Sequence, residues 1–430
     1  MLHIKFIREN VELIRQDLEK RRDAAKIEAF EKLLELDSEV RSLQRTIQNL
    51  RTQRNRVSRD IGDLKKAGKD TAKLTKEANR VNKEIKDTED KTAELADELR
   101  AIQMRIPNVL HESVPYGEGE EDNELVKEWG KKPEFGFKIQ SHVDLLDVLD
   151  VGDIPRAAKI AGSRFYYLKN ELVLLDLAMQ QLGLEMLVKK GFTPVYPPFM
   201  MRRKPYEGVA DLADFQDVMY KIEEEDLYLI ATSEHPMAAM YMDEIFEPTD
   251  LPLKLAGVSA CFRKEAGSHG KDTKGIFRVH QFNKVEQFVF CHPDESWKIH
   301  EELLRNEEEY VQALKLPYRI VNKCTGDINI VVAKTYDLEF WMPGQGTYRE
   351  GGSCSNATAY QAVRLNIKYR LKKGGTEKDY LHTLNSTLVA NPRTFVAIME
   401  NYQREDGSIE IPKVLRKYLP SEMTEIVPRL

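Results

Sequence analysis

The residues of this chain best suited to chemistry lie in FRKEAGSHGKDTKGIFRVHQFNKVEQF, residues 262 to 288. Arg263 and Glu265 stand two apart, and Arg278, Phe282 and Glu286 follow at intervals of four. Side chains on a strand alternate faces, so each set falls on one face, and two steps of four residues span about 25 Å. A hairpin of two such strands presents guanidinium, aromatic ring and carboxylate in turn. That surface suits a polyphosphate, a flat base and an ammonium group. It equally suits a solvated hairpin with cross-strand ion pairs.

The rest of the chain narrows the choice. Its 430 residues are enough for two or three domains with a substantial core. Hydrophobic residues make up 41% and charged residues 32%, and no apolar run reaches the length of a membrane span. The opening MLHIKFIRENVELIRQDLEKRR mixes charge with apolar positions and lacks a signal-peptide core. A cytoplasmic protein with no membrane partner is expected. Cys261, Cys291, Cys324 and Cys354 lie too far apart for a CxxC pair, so no structural zinc is expected and the thiols should be buried. Net charge is -6, yet residues 41 to 80 hold twelve Lys or Arg against four Asp or Glu. A cationic segment on an otherwise acidic chain points to a polyanion bound there.

That segment is also periodic. Leu36, Val40, Leu43, Ile47, Leu50, Arg54, Val57, Ile61 and Leu64 step by four and three, as do Leu74, Ala78, Val81, Ile85, Thr88, Thr92, Leu95, Leu99, Ile102 and Ile106. This is coiled-coil a/d spacing. It breaks at KKAGKD, where Gly68 can end one helix and Asp70 or Thr71 can cap the next. Folding back there pairs Leu64 with Leu74 and Val57 with Val81. The prediction is an antiparallel two-helix arm, each helix thirty-odd residues and about 45 to 50 Å long. Arg51, Arg56, Arg59, Lys65, Lys66, Lys69, Lys73 and Lys76 occupy its outer half. Such an arm can hold a long anion away from the body, or it can be a dimerisation coiled coil.

Pro107 ends the pattern, and the acidic GEGEEDNE follows. We expect an N-terminal arm over 1–110, a linker over 111–134 and a body over 135–430. In the body, residues 165 to 191 read as a strand and a long helix closed by Gly191. FTPVYPPFM, DLYLIATSEHPMAAMY, KLAGVSACFRKE, FRVHQFNKVEQFVFC and YRIVNKCTG read as strands, and WKIHEELLRNEEEYVQAL as a surface helix. Interleaving without regular βαβ spacing predicts an α+β fold, an antiparallel sheet flanked by helices.

Together, LYLIATSEHP, FRKEAGSHGKDTKGIFRVHQF and the basic arm resemble the seryl-tRNA synthetase family in its archaeal form. The resemblance spans the chain. GFTPVYPPFM is similar to the first class II synthetase motif, the opening hairpin to the second, and TLNSTLVANPRTFVAIMENYQ, residues 383 to 403, to the third. It implies a homodimeric enzyme that activates L-serine with ATP and Mg²⁺ and transfers it to tRNA(Ser), and to tRNA(Sec) where present. It also implies roles. Arg263 would bind the α-phosphate, Glu265 and Phe282 the adenine, and Arg278 and Arg393 the γ-phosphate, with Arg263 and Arg393 catalytic. Glu350 and Ser353 would hold Mg²⁺. Thr232, Glu234, Arg263, Glu286, Asn385 and Thr387 would surround serine, and the arm cations would hold tRNA. Adenylation needs positioning and charge neutralisation rather than a general base, so His235, His269 and His280 are assigned to structure or loop contacts.

Each residue has a plainer reading taken singly: Glu234 as a helix-start carboxylate, Phe282 as a core aromatic, Asn385 as an Asx-turn residue. Gly351 and Gly352 depart from the family pattern, as do Ala359 and Val363, and two adjacent glycines are expected to loosen the metal-binding stretch. Two rivals are an enzyme that loads a carrier protein and a catalytically silent RNA-binding relative.

Overall fold

The computed structural model describes residues 1–265, 274–421 and 423–429, apart from the side chains of residues 214 and 216. It divides into two compact units, Leu2–Ile106 and Met1 with Pro107–Leu430. His269 lies outside the described residues.

The first unit is built on α1 (Ala24–Lys66) and α2 (Ala72–Gln103), packed against each other antiparallel. The expected stripe is the contact face: Leu36, Val40, Ile47, Val57, Val81, Ile85 and Ile106 are buried, and the other seam positions are half-buried. Ion pairs cross between the helices at Arg51 with Glu89, 2.7 Å, and Lys91 with Glu39, 2.7 Å. The break is a Schellman cap. Gly68 has φ +66°, its N–H donates to the Lys65 carbonyl, and that of Lys69 donates to Leu64. Asp70 then accepts from the Ala72 N–H at 2.9 Å. α2 is as long as expected, whereas α1 spans 43 residues, about 65 Å. It starts twelve residues before the first counted seam position because Asp23 caps it, accepting from Lys26 at 3.0 Å.

The second unit centres on an eight-stranded sheet. Its strands are β1 (Glu124–Trp129), β2 (Thr193–Val195), β3 (Leu253–Phe262), β4 (Gln281–Cys291), β5 (Tyr318–Asn322), β6 (Lys334–Met342), β7 (Thr347–Thr358) and β8 (His382–Ala390). The order is β1-β5-β6-β7-β8-β4-β3-β2, antiparallel throughout except for the β2/β3 pair. α3 (Asn170–Lys189), α4 (Glu234–Ala239), α5 (Ser296–Ala313) and α6 (Asn391–Asn401) pack against it. On β4, Val285, Val289 and Cys291 join the core with Leu172, Leu303 and Phe395, and Phe282 packs half-buried at its margin. Phe282, Lys284 and Glu286 take the other face.

Four expectations are corrected. The stretch expected as a linker contains β1, whose six residues are all exposed, so it carries no alternation to announce a strand. The segment after Leu229 is the helix α4 rather than strand, with Glu234 as its first residue and Pro236 in the first turn, where proline is tolerated. The surface helix α5 buries Ile299, Leu303, Glu307, Glu308 and Tyr310. The hairpin strands stop at Phe262 and resume at Gln281, so Arg263, Glu265 and Arg278 reach their positions from loop backbone, Glu265 at φ +50°.

Candidate active site

Eight expected residues line one cavity of the sheet: Arg263, Glu265, Arg278, Phe282, Glu350, Ser353, Thr387 and Arg393. A neighbouring cavity shares Glu350 and Ser353 and adds Glu234 and Asn385. Thr232 and Glu286 stand beside Lys284, whose ammonium pairs with Glu286 and lies 3.4 Å from Thr232 Oγ1. Every expected residue of the body is thus brought to one connected place.

At the Arg263 end of the site, His280 holds Arg263 in place. Its Nδ1 donates to the Arg263 carbonyl at 2.8 Å, and the Arg263 N–H returns a bond to the His280 carbonyl at 2.9 Å. The Arg263 guanidinium lies 5.3 Å from the Phe282 ring centroid and donates to the Ala231 carbonyl at 3.3 Å. Glu265 and Arg278 approach to 3.9 Å. Arg393, third residue of α6, reaches Glu350 at 3.1 Å and sits 5.5 Å from the Phe277 ring, with Arg349 at 4.8 Å from the same ring.

Glu350 and Ser353 are three apart on β7 and would ordinarily face opposite ways. A bulge at Gly351, where Leu338 pairs with Gly352 and Glu339 with Glu350, turns them to one cavity. The double glycine is therefore not a loose loop. A Cβ on Gly351 would stand 2.4 Å from the Phe340 ring, and one on Gly352 2.2 Å from Glu307 Oε1. Close packing, not freedom, demands these glycines. A carboxylate and a hydroxyl on one cavity are the hard oxygen donors Mg²⁺ takes when it keeps waters and phosphates as its other ligands, so the residues fit that ion. The Arg393 guanidinium, with Lys323 and Arg263 adding to it, holds the Glu350 carboxyl well below the usual range.

At the Glu234 end, Glu234 accepts from Gln361 Nε2 at 2.9 Å and from Asn385 Nδ2 at 3.1 Å, and Asn385 stands 3.4 Å from Glu286. Burial, reinforced by the charge of Glu286, pushes the Glu234 carboxyl up to about 7. His235 is structural. It bonds the Tyr206 hydroxyl at 3.0 Å, and burial drives its pKa down to about 3. Two groups went unread in the sequence. Lys284 sits midway between Phe282 and Glu286, so the alternation that marked those two marks it as well. Lys323, bridging Asp327 at 3.0 Å and Asp337 at 3.2 Å, left no such signal, because Lys323 and Asp327 lie off any regular strand or helix and Asp337 comes from β6. Burial pushes the Asp337 carboxyl up, and the nearby Glu350 adds to this.

An antiparallel sheet carrying arginines, an aromatic ring and buried carboxylates in two joined cavities is the arrangement of a class II aminoacyl-tRNA synthetase. The family model of the tRNA synthetase class II core domain (G, H, P, S and T) matches residues 219–402, and that of the seryl-tRNA synthetase N-terminal domain matches residues 1–110. A serine--tRNA ligase of Methanocella arvoryzae is 54% identical over 419 residues, 97% of this chain and 99% of that protein. The structure of the Pyrococcus horikoshii seryl-tRNA synthetase complexed with ATP matches with a TM-score of 0.96 at 49% identity, covering 100% of both chains. That of the cytoplasmic serine-tRNA ligase of Naegleria fowleri in complex with AMP gives 0.90 at 34%, covering 100% of this chain and 99% of the other. The chain belongs to the seryl-tRNA synthetase family, and its activity is that of a serine–tRNA ligase, which activates serine with ATP and joins it to tRNA.

Proposed function

We propose that the two cavities divide the substrates, ATP in the one lined by Arg263, Glu265, Arg278, Phe282 and Arg393, serine in the one lined by Glu234 and Asn385. The observation that carries this reading is their junction at Glu350 and Ser353, beside Thr387. Serine's carboxylate, already ionised, attacks the α-phosphorus in line. Arg263 neutralises the charge that builds there, and Arg278 and Arg393 hold the departing pyrophosphate. Glu350 and Ser353 would hold Mg²⁺, which when bound offsets phosphate charge. Glu286 and Glu234 take the serine ammonium, Thr232 lies beside them, and Asn385 and Thr387 take the hydroxyl.

The reading extends to partners. Arg51, Arg56, Arg59, Lys65, Lys66, Lys69, Lys73 and Lys76 are all exposed, and we assign them to tRNA(Ser), with tRNA(Sec) accepted through the same shape-reading contacts. Arg51 contributes least, because Glu89 already pairs with it. Val173, Leu174, Leu177 and Val188 leave an exposed apolar face on α3, which we assign to a two-fold dimer. We assign RNA binding to Leu2–Ile106 and catalysis to Pro107–Leu430, since β1 places Glu124–Trp129 in the sheet that carries the site. No helix of the described residues is long and apolar enough to cross a membrane, and a cytoplasmic location fits. Pyrophosphate exchange with each amino acid, with and without tRNA, tests the whole. Serine-dependent exchange followed by serylation of tRNA is expected. Exchange with another amino acid, or none, sinks the substrate assignment.

A further inference from the structure

Glu307 lies on α5, outside every role assigned above. It is 2% exposed, and its Oε2 accepts from the Ser386 hydroxyl at 3.2 Å. Its Oε1 occupies the place of a missing side chain. A Cβ built on Gly352 would stand 2.2 Å from that oxygen, 2.9 Å from Thr387 Cβ and 3.2 Å from Thr387 Cγ2. Three elements, α5, β7 and β8, therefore meet at a point that one side chain fills, and the one filling it comes from the helix. Gly352 and Thr387 both line the nucleotide cavity, so the Glu307 carboxyl packs directly beneath the floor of the site.

A carboxyl at this depth is costly unless paired or neutral. Burial pushes Glu307 well above the ordinary carboxyl range, and the neighbouring Asp337 and Glu286 push the same way. As a neutral acid it needs no counter-ion and can serve as a rigid filler fixed by one hydrogen bond. A residue that only filled space would be cheaper as a leucine. A polar one bonded to Ser386 also fixes the backbone next to Thr387.

We infer that Glu307 is a positioning residue for serine selection: seated in the gap over Gly352 and tied to Ser386, it holds Thr387 against the substrate hydroxyl and closes the space that the methyl group of threonine would need. This rests on the assignment of Thr387 to the serine hydroxyl.

The test measures pyrophosphate exchange with serine and with threonine in four variants, with thermal unfolding recorded for each. In Glu307→Ala the serine-to-threonine ratio of kcat/KM should fall about tenfold, the scale of one methyl group in a pocket, mainly through KM for the amino acid while KM for ATP stays put. Gly352→Ala should lower serine kcat/KM about tenfold by forcing Glu307 or Thr387 aside. Glu307→Ala/Gly352→Ala should lose clearly less than the product of the two single losses, because removing the carboxyl relieves the 2.2 Å approach while the 2.9 Å approach to Thr387 Cβ remains. Glu307→Gln, with the shape of the neutral acid, should hold the ratio. Should Glu307→Ala not fold, Glu307→Val makes the same comparison. An unchanged ratio in the shortened variant, or a double variant whose loss is the product of the two single losses, overturns the inference. A parent enzyme that does not activate serine at all sinks the underlying assignment instead, so the two failures read differently.

Discussion

Glu234 links charge to substrate at the scale of a single residue. Its carboxyl titrates near pH 7 because burial and Glu286 both disfavour its anion. The native state therefore prefers the protonated form, a contribution to stability fully present below the ordinary carboxyl value of 4.5 and lost as pH rises through about 7. Substrate binding has the opposite preference, since an ammonium entering beside two carboxylates favours both ionised. KM for serine should accordingly rise as pH falls below 7, by up to about tenfold per unit, while KM for ATP stays level. Glu234→Gln should weaken serine binding throughout and flatten the profile. A wild-type profile already flat between pH 6 and 8 would remove Glu234 from the serine site. Thr387→Ala should cost serine activation about 1 to 3 kcal/mol, an unmet buried polar contact, measured as kcat/KM in pyrophosphate exchange. Unchanged exchange would take Thr387 out of the hydroxyl contact.

Among elements, one buried carboxylate ties together the three that build the site. Asp176 on α3 accepts from Gln180 at 2.6 Å, from Asn283 on β4 at 2.9 Å, and from Asn391 at the start of α6 at 2.5 Å. Asn283 is flanked by Phe282 and Lys284, and Asn391 stands two residues before Arg393, so the orientation of ring and guanidinium depends on this one group. Asp176→Ala leaves buried donors unmet and should destabilise the fold by about 2 to 4 kcal/mol in urea unfolding, with KM for ATP raised more than KM for serine. Equal rises would mean that Asp176 only supports the fold. Such a tie is invisible in sequence, because its members are 107 and 215 residues apart. What was legible followed local period: the seam of the arm, the Gly68 break, and the placing of Phe282 and Glu286 on one face. Arg278, Glu265 and the Glu350/Ser353 pair reach the same cavity through loop backbone and a bulge, which break the period. β1 was missed because a wholly exposed edge strand has no apolar face to alternate. The buried side of α5 was misread because Glu307 and Glu308 look like solvent residues until the sheet above them is known.

For the molecule as a whole, the proposed function divides serylation into an amino-acid step assigned to the second unit and an RNA step that would also need the first. The dimer face can be tested directly: Leu174→Glu/Leu177→Glu places charge on the apolar side of α3 and should give monomers in light scattering, whereas a persistent dimer moves the interface elsewhere. The arm can be tested by its charge. Arg56, Arg59, Lys65, Lys66, Lys69, Lys73 and Lys76 have no carboxylate within ion-pair reach among the described residues, so a phosphate backbone can pair with them. Each phosphate contact releases condensed counterions, which makes affinity fall with salt in proportion to the number of contacts. Replacing Lys65, Lys66, Lys69 and Lys73 by alanine should lower kcat/KM for tRNA at least about tenfold and reduce the slope of log affinity against log salt by about three. Pyrophosphate exchange and thermal unfolding should stay as they were, because all four side chains are exposed and the Leu64 to Leu74 turn is held by backbone caps. If instead the four substitutions left the salt slope untouched and dissociated the protein, the arm would be a dimerisation element, and the RNA would have to be held elsewhere.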